Sequence, residues 1–230
     1  MAATAGTTAP PPPPSTTKPV VAETGSPALA KLEKYWKPLS YAAGAVAVVA
    51  VGLWLLSVSS RRKEQMGLDA LDGARGAMEA GNIPGASAEF QRIIQSFGGT
   101  DAAYQAQLGL NTARLASGQA QLAADELKKF ADSNPPAFYA SGALSLLGSA
   151  LENLRKYDEA AAAYLQSAQR AEEDYRKVEA ELAAARAYRL AGKDKEALDV
   201  FRGIVSKYSK EVPGVPEANV RLAELTRGGM

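Results

Sequence analysis

Neither cysteine nor histidine occurs among the 230 residues of this chain. Without thiols there are no disulfides, thiolate metal sites or cysteine nucleophiles. Without imidazole, the side chain most used for zinc, haem and proton transfer near neutral pH is missing too. Chemistry would have to rest on carboxylate, lysine, tyrosine or serine. No glycine-rich phosphate loop leads into a lysine and a hydroxyl residue, and no paired-glycine dinucleotide turn follows a strand. The acidic run Glu172, Glu173 and Asp174 reads as a solvated helix end. No enzyme, cofactor, metal or small-molecule substrate is therefore expected.

An excess of either charge is also lacking. Lysine and arginine number 26 against 25 aspartates and glutamates, so no bulk field would concentrate nucleic acid on the surface, and none is expected as a partner. Up to Pro38 there are four basic and two acidic residues. Beyond residue 58 there are 22 basic and 23 acidic ones. Aromatics are only 7% of the chain, while much of the 47% apolar share is alanine. That composition suits closely packed helices better than a sandwich built on valine, isoleucine and threonine. The fold class read from it is all-α.

Along the chain, residues 1–26 are rich in threonine, alanine and proline, with five prolines in a row from Pro10 to Pro14. Proline offers no backbone donor and the stretch has few large apolar groups, so a disordered tail with a polyproline segment is expected. It serves as a spacer or as a proline-rich ligand. A lead follows in which Lys31, Lys34 and Lys37 stand beside Tyr35 and Trp36, residues suited to a lipid headgroup boundary. Residues 1–38 thus form a tail and juxtamembrane lead.

The one long apolar run, residues 39–58, carries no charge. As a helix of about 1.5 Å rise per residue it covers roughly 30 Å, the hydrocarbon thickness of a bilayer. No later segment is apolar enough all round to bury it in a globular core. Its long leader and the Arg61, Arg62 and Lys63 that follow differ from a cleaved signal peptide. A single uncleaved span in a lipid bilayer is expected, with a basic juxtamembrane linker at 59–66. Ser40, Gly44, Val48 and Gly52 recur every four residues, a small-residue pattern that would let a second membrane helix approach. Positive charge lies close on both sides of the run, so charge alone leaves the orientation open.

Beyond the run the chain repeats. Gly81, Gly118, Arg155 and Gly192 are evenly spaced, 37 residues apart. Five residues after each comes an alanine (Ala86, Ala123, Ala160, Ala197), and four further on a large apolar residue (Phe90, Leu127, Tyr164, Phe201). Upstream, Ala74, Asn111, Gly148 and Ala185 share one column, and Ala77, Arg114, Leu151 and Tyr188 another. This is the pattern of a helix, a tight turn and an antiparallel helix. Small residues mark the closest approach and the larger residue fills the adjacent groove. Glycine in the turn supplies a left-handed backbone. Where Arg155 stands instead, a different, strain-free turn is expected.

These residues resemble the tetratricopeptide repeats. The third unit matches best, through Leu144, Leu147, Gly148, Leu151, Tyr157, Ala160 and Tyr164. The resemblance implies an α-solenoid of about four helical hairpins, near 67–103, 104–140, 141–177 and 178–214. A cap at 215–230 follows, with Ala218, Leu222 and Leu225 on one face. Asn111 and Arg114 depart from the small and aromatic residues of the pattern. The longer period implies extended connections between units, at 96–100 and 132–137.

The resemblance further implies a binding surface formed by the first helix of each unit. Its inward places fall on Leu108, Thr112 and Leu115, on Ser149, Glu152 and Asn153, and on Arg186 and Arg189. The alternative is that these are ordinary solvent-facing residues. A carboxylate clamp of lysine and asparagine is absent, because the matching places hold Leu71, Arg75, Gly109, Gly142 and Leu146. The order of tail, span and array is similar to that of bacterial membrane-anchored tetratricopeptide proteins, in particular the ancillary subunit of the Sec translocon. That similarity implies a single-pass inner-membrane protein with a cytoplasmic N terminus and a periplasmic repeat domain. Its expected partners are proteins: translocon subunits, periplasmic chaperones or secreted clients. The alternative is a structural adaptor of cell-wall or outer-membrane machinery that touches no client.

Overall fold

The computed structural model describes residues 27–228, and the proline-rich segment at 10–14 lies outside them. The described residues are helical, with no strand among them. In order the helices are α1 (Pro27–Glu79), α2 (Ile83–Ser96), α3 (Asp101–Ala116), α4 (Ala120–Asp132), α5 (Ala137–Asn153), α6 (Tyr157–Arg170), α7 (Asp174–Leu190), α8 (Asp194–Lys207) and α9 (Val215–Gly228). Two compact units divide the chain, one up to Leu55 and the other from Leu56.

In the first unit α1 is helical through the uncharged run. The stretch from Gly44 onward is long and apolar enough to cross a membrane, with none of its apolar window buried. Val46, Val48, Val49, Val51, Leu53, Trp54 and Leu55 are all exposed. Gly44 and Gly52 stand in open space, with nothing near a side chain built on either, while the side chain of Ser40 lies outside the described residues.

The second unit is built from four helix pairs and a final helix. The pairs are α1's C-terminal part with α2, α3 with α4, α5 with α6, and α7 with α8. Their turns are alike. In each, the residue after the glycine or arginine donates its N–H five residues back, from Asn82 to Ala77 O, Gln119 to Arg114 O, Lys156 to Leu151 O and Lys193 to Tyr188 O, at 2.8–2.9 Å. The glycine or arginine itself donates to the carbonyl three before it. Such a cap needs a left-handed residue at its centre. Gly81, Gly118 and Gly192 have φ of 77°, 75° and 74°, and Arg155 has φ of 58°. The different turn expected at Arg155 is not formed, because the paired hydrogen bonds fix the backbone there whichever side chain is present. The exposed arginine simply tolerates the left-handed conformation.

The columns read from the sequence form the contacts between paired helices. Ala86, Ala123, Ala160 and Ala197 are fully buried, and Phe90, Leu127, Tyr164 and Phe201 are buried beside them. Asn111, the departure in its column, is also fully buried. Its Nδ2 donates to Gln107 O at 2.9 Å and its Oδ1 accepts from Arg114 Nη1 at 3.0 Å. The two departures therefore satisfy each other, as buried polar atoms must.

Two boundaries differ from expectation. Residues 59–66 are not a linker but part of α1. Lys63 Nζ donates to Gly98 O at 3.1 Å, and Glu64 accepts from the backbone N–H of Asp101 and Ala102 at 3.0 Å each. Residues 59–66 contain no glycine or proline to break the helix, and Gly67, which follows, is needed bare: a Cβ there would come 2.8 Å from Ala102 Cβ. The hairpins also begin about one turn earlier than the repeat columns indicate, at Asp101, Ala137 and Asp174. Thr100, for example, caps α3 by accepting from Ala103 N at 3.2 Å, one turn before the first column residue. The connections at 97–100 and 133–136 separate the pairs, and α9 seats Ala218, Leu222 and Leu225 on the core of the last pair.

Candidate interaction groove

The face formed by α3, α5 and α7 carries a cavity of about 250 Å³. Its walls are Leu108 from α3, Ser141, Gly142, Ser145 and Leu146 from α5, Ser167 from α6, and Arg176, Glu179 and Ala180 from α7. Five of its wall positions are small: Ser141, Gly142, Ser145, Ser167 and Ala180. At Gly142 a Cβ would sit 3.2 Å from Leu108 Cδ1 and 3.9 Å from Arg176 Nη2. Ser141 and Ser167 are buried and use their hydroxyls on each other: Ser167 Oγ donates to Ser141 O at 2.8 Å and lies 3.2 Å from Ser141 Oγ. The free hydroxyl left on the wall is that of Ser145, which makes no hydrogen bond among the described residues. A second cavity, of about 280 Å³, is bordered by Tyr175, Glu179, Leu182, Arg186, Pro213, Gly214 and Glu217. Glu179 borders both, so the two cavities are neighbours along α7.

An aromatic rim flanks the first cavity. Tyr104 lies 5.2 Å from Tyr139 and 6.0 Å from Phe130, ring centre to ring centre, and Phe138 meets Tyr139 edge-on at 5.3 Å. Phe138 is half exposed, and the Arg176 guanidinium sits 4.1 Å above its ring. That contact holds a cation over the electron-rich face of the ring. Burial pushes the Tyr139 hydroxyl above its ordinary pKa, with the neighbouring Asp101 carboxylate acting in the same direction.

Further along the face, Ser149 and Glu152 of α5 come together with Tyr164 of α6 and Arg186 of α7. Ser149 Oγ is 3.1 Å from the Tyr164 hydroxyl and 3.4 Å from Ser145 O. Burial raises the Glu152 carboxyl above the ordinary carboxylate range, against the opposing pull of the Arg186 charge and the Tyr164 hydroxyl. Tyr164 is likewise raised, first by its burial. The result is a polar patch in which an arginine and a carboxyl face each other without a direct ion pair.

Of the eight residues expected on this surface, the fold brings four into these sites: Leu108 in the first cavity, and Ser149, Glu152 and Arg186 in the polar patch. Arg186 also borders the second cavity. Thr112 is half buried and its hydroxyl donates to Leu108 O at 3.0 Å within its own helix. Leu115 packs on the central core instead of lining a cavity. Asn153 and Arg189, at the last turns of α5 and α7, are exposed and border neither cavity. Sequence reading missed Phe138, Ser145, Arg176 and Glu179. One signal was available: Phe138 and Tyr175 are 37 residues apart and both about half exposed, an aromatic column about three turns before Ser149 and Arg186 on the same helices.

Among solved structures the chain is similar to the nearly identical TPR-like repeats of a putative kinesin light chain from Podosopora anserina. The TM-score is 0.58, at 16% identity, over 73% of this chain and 88% of that one. A single-substitution form of that protein aligns equally, over 87% of its length. The fold is of the tetratricopeptide-repeat type. No family model matches the chain, and no curated protein matches its sequence. At that identity the likeness concerns the backbone and carries no partner across.

Proposed function

We propose that this protein is a membrane-anchored interaction scaffold whose repeat array works on the periplasmic side of a bacterial inner membrane. There it assists the handover of secreted proteins at the Sec translocon. The apolar run at 39–58 crosses the bilayer once, with the N terminus in the cytoplasm. The observation that carries the reading is the pairing of an apolar helix stretch with no buried residue in its apolar window with an array that leaves two adjoining cavities and a polar patch open. Water is a poor solvent for the former, and a partner's side chains fit the latter. Tethering the array would hold it at an effective concentration in the millimolar range relative to a neighbouring complex, so weak contacts become productive.

Topology and partners are tested together. The full chain should remain in the membrane pellet after alkaline carbonate extraction, and alkaline phosphatase fused after Met230 should be active. Photo-crosslinkers at Thr112 and Arg189 should capture translocon subunits and nascent secreted proteins. A soluble chain, or an inactive fusion, would overturn the anchored periplasmic reading. Capture restricted to cell-wall or outer-membrane machinery would favour a structural adaptor.

A further inference from the structure

Among the described residues Arg176 makes no hydrogen bond or ion pair with its side chain, although Glu179 stands one turn away on the same helix and both border the first cavity. An arginine left unpaired is ordinarily mobile. This one is fixed by Phe138, whose ring lies 4.1 Å below the guanidinium. The contact sets the guanidinium carbon over the ring, and the N–H donors, which have no partner among the described residues, are the groups that bind carboxylate in a two-pronged fashion. Gly142 keeps the approach open, since any side chain there would fill the space between Leu108 and Arg176. Beside the cation are a free hydroxyl, Ser145, and two aliphatic side chains, Leu108 and Leu146.

From this arrangement we infer that the cavity is a recognition pocket for an acidic side chain flanked by aliphatic residues in an extended protein segment. The carboxylate pairs with Arg176 and takes a hydrogen bond from Ser145. The adjoining aliphatic residue rests on Leu108 and Leu146. An internal side chain fits better than a chain end, because Glu179 continues the cavity into its neighbour and would repel a terminal carboxylate placed deeper. Glu179 also excludes a second acidic residue next to the first, which gives the pocket its selectivity. This inference rests on the reading of the array as a docking surface for proteins, and names the residue class that one part of it selects.

The test uses the full chain in detergent and fluorescein-labelled peptides blocked at both ends, with the core Ser-Leu-Asp-Leu-Ser or the same core with asparagine for aspartate. The aspartate peptide should bind at least tenfold more tightly at low salt, and the difference should shrink as salt is raised. Arg176→Gln should abolish the difference, bringing the aspartate peptide to the affinity of the asparagine peptide. Phe138→Ala should reduce the difference by freeing the guanidinium. Equal binding of the two peptides, no binding of either, or a preference that survives Arg176→Gln would overturn the inference. So would tighter binding of a peptide whose only carboxylate is its C terminus. Failure here with undiminished crosslinking at Thr112 and Arg189 would leave the scaffold reading intact. Loss of both would remove the two together.

Discussion

The ring of Tyr164 lies against the bare α-carbon of Gly148: a Cβ at that position would come 2.6 Å from Tyr164 Cε1. The contact joins α5 to α6 inside the third hairpin. In the first hairpin the equivalent ring, Phe90, instead presses on Gly109 of the next unit, where a Cβ would come 2.7 Å away. Gly148→Ala should therefore destabilise the array by about 1–3 kcal/mol through overpacking, despite alanine's better helix propensity. Chemical denaturation of the full chain in detergent, followed by far-ultraviolet dichroism, measures this. An unchanged midpoint would mean that the ring can retreat.

Arg155 occupies a left-handed backbone that its three counterparts fill with glycine. Its side chain is exposed, so the substitution to glycine removes strain without removing packing. Arg155→Gly should stabilise the array by about 0.5–1 kcal/mol, the relief being partly offset by the greater freedom of glycine in the unfolded chain. Gly192→Ala should do the reverse by a similar amount. A pair of denaturation midpoints moving in opposite directions is the expected result.

Glu64 caps α3 from one repeat away, through hydrogen bonds to the N–H groups of Asp101 and Ala102. A carboxylate at a helix N-terminus both satisfies free donors and opposes the helix dipole. Glu64→Ala should cost about 1–2 kcal/mol, within the range for lost caps. Hydrogen exchange should locate the effect, with faster exchange at Ala103 to Ala106 and little change in α7.

Glu152 links stability to pH. Its carboxyl is raised in the folded chain, chiefly by burial, so ionising it is harder folded than unfolded. The resulting penalty is absent below the unfolded pKa and complete above the folded one. Glu152→Gln removes it. The variant should melt with the wild type at about pH 4 and above it at about pH 7, the gap opening as pH rises through the carboxylate range. A gap of constant size would show that Arg186 compensates the burial fully.

Several features were legible because they are local. The 37-residue period, the alanine column from Ala86 to Ala197 and the positions of the four turns all follow from side chains three and four residues apart on one helix. The uncharged run at 39–58 is legible for the same reason, since it needs only composition and length. The candidate surface was half legible. Leu108, Ser149, Glu152 and Arg186 lie where the register placed them, but Leu115 turned inward to the core and Asn153 and Arg189 fell beyond the cavities.

By itself, then, the sequence determined that paired helices recur, where each pair turns, and which small residues let the members touch. Tertiary structure decided what the departures mean and where the free chemistry lies. Glu64 reaches Asp101, and Phe138 of one unit meets Arg176 of the next. The division has a physical cause. Periodicity is imposed by the geometry of a single helix, whereas partners from different units meet according to the offset and rotation between successive hairpins, and that is set only when every interface packs at once.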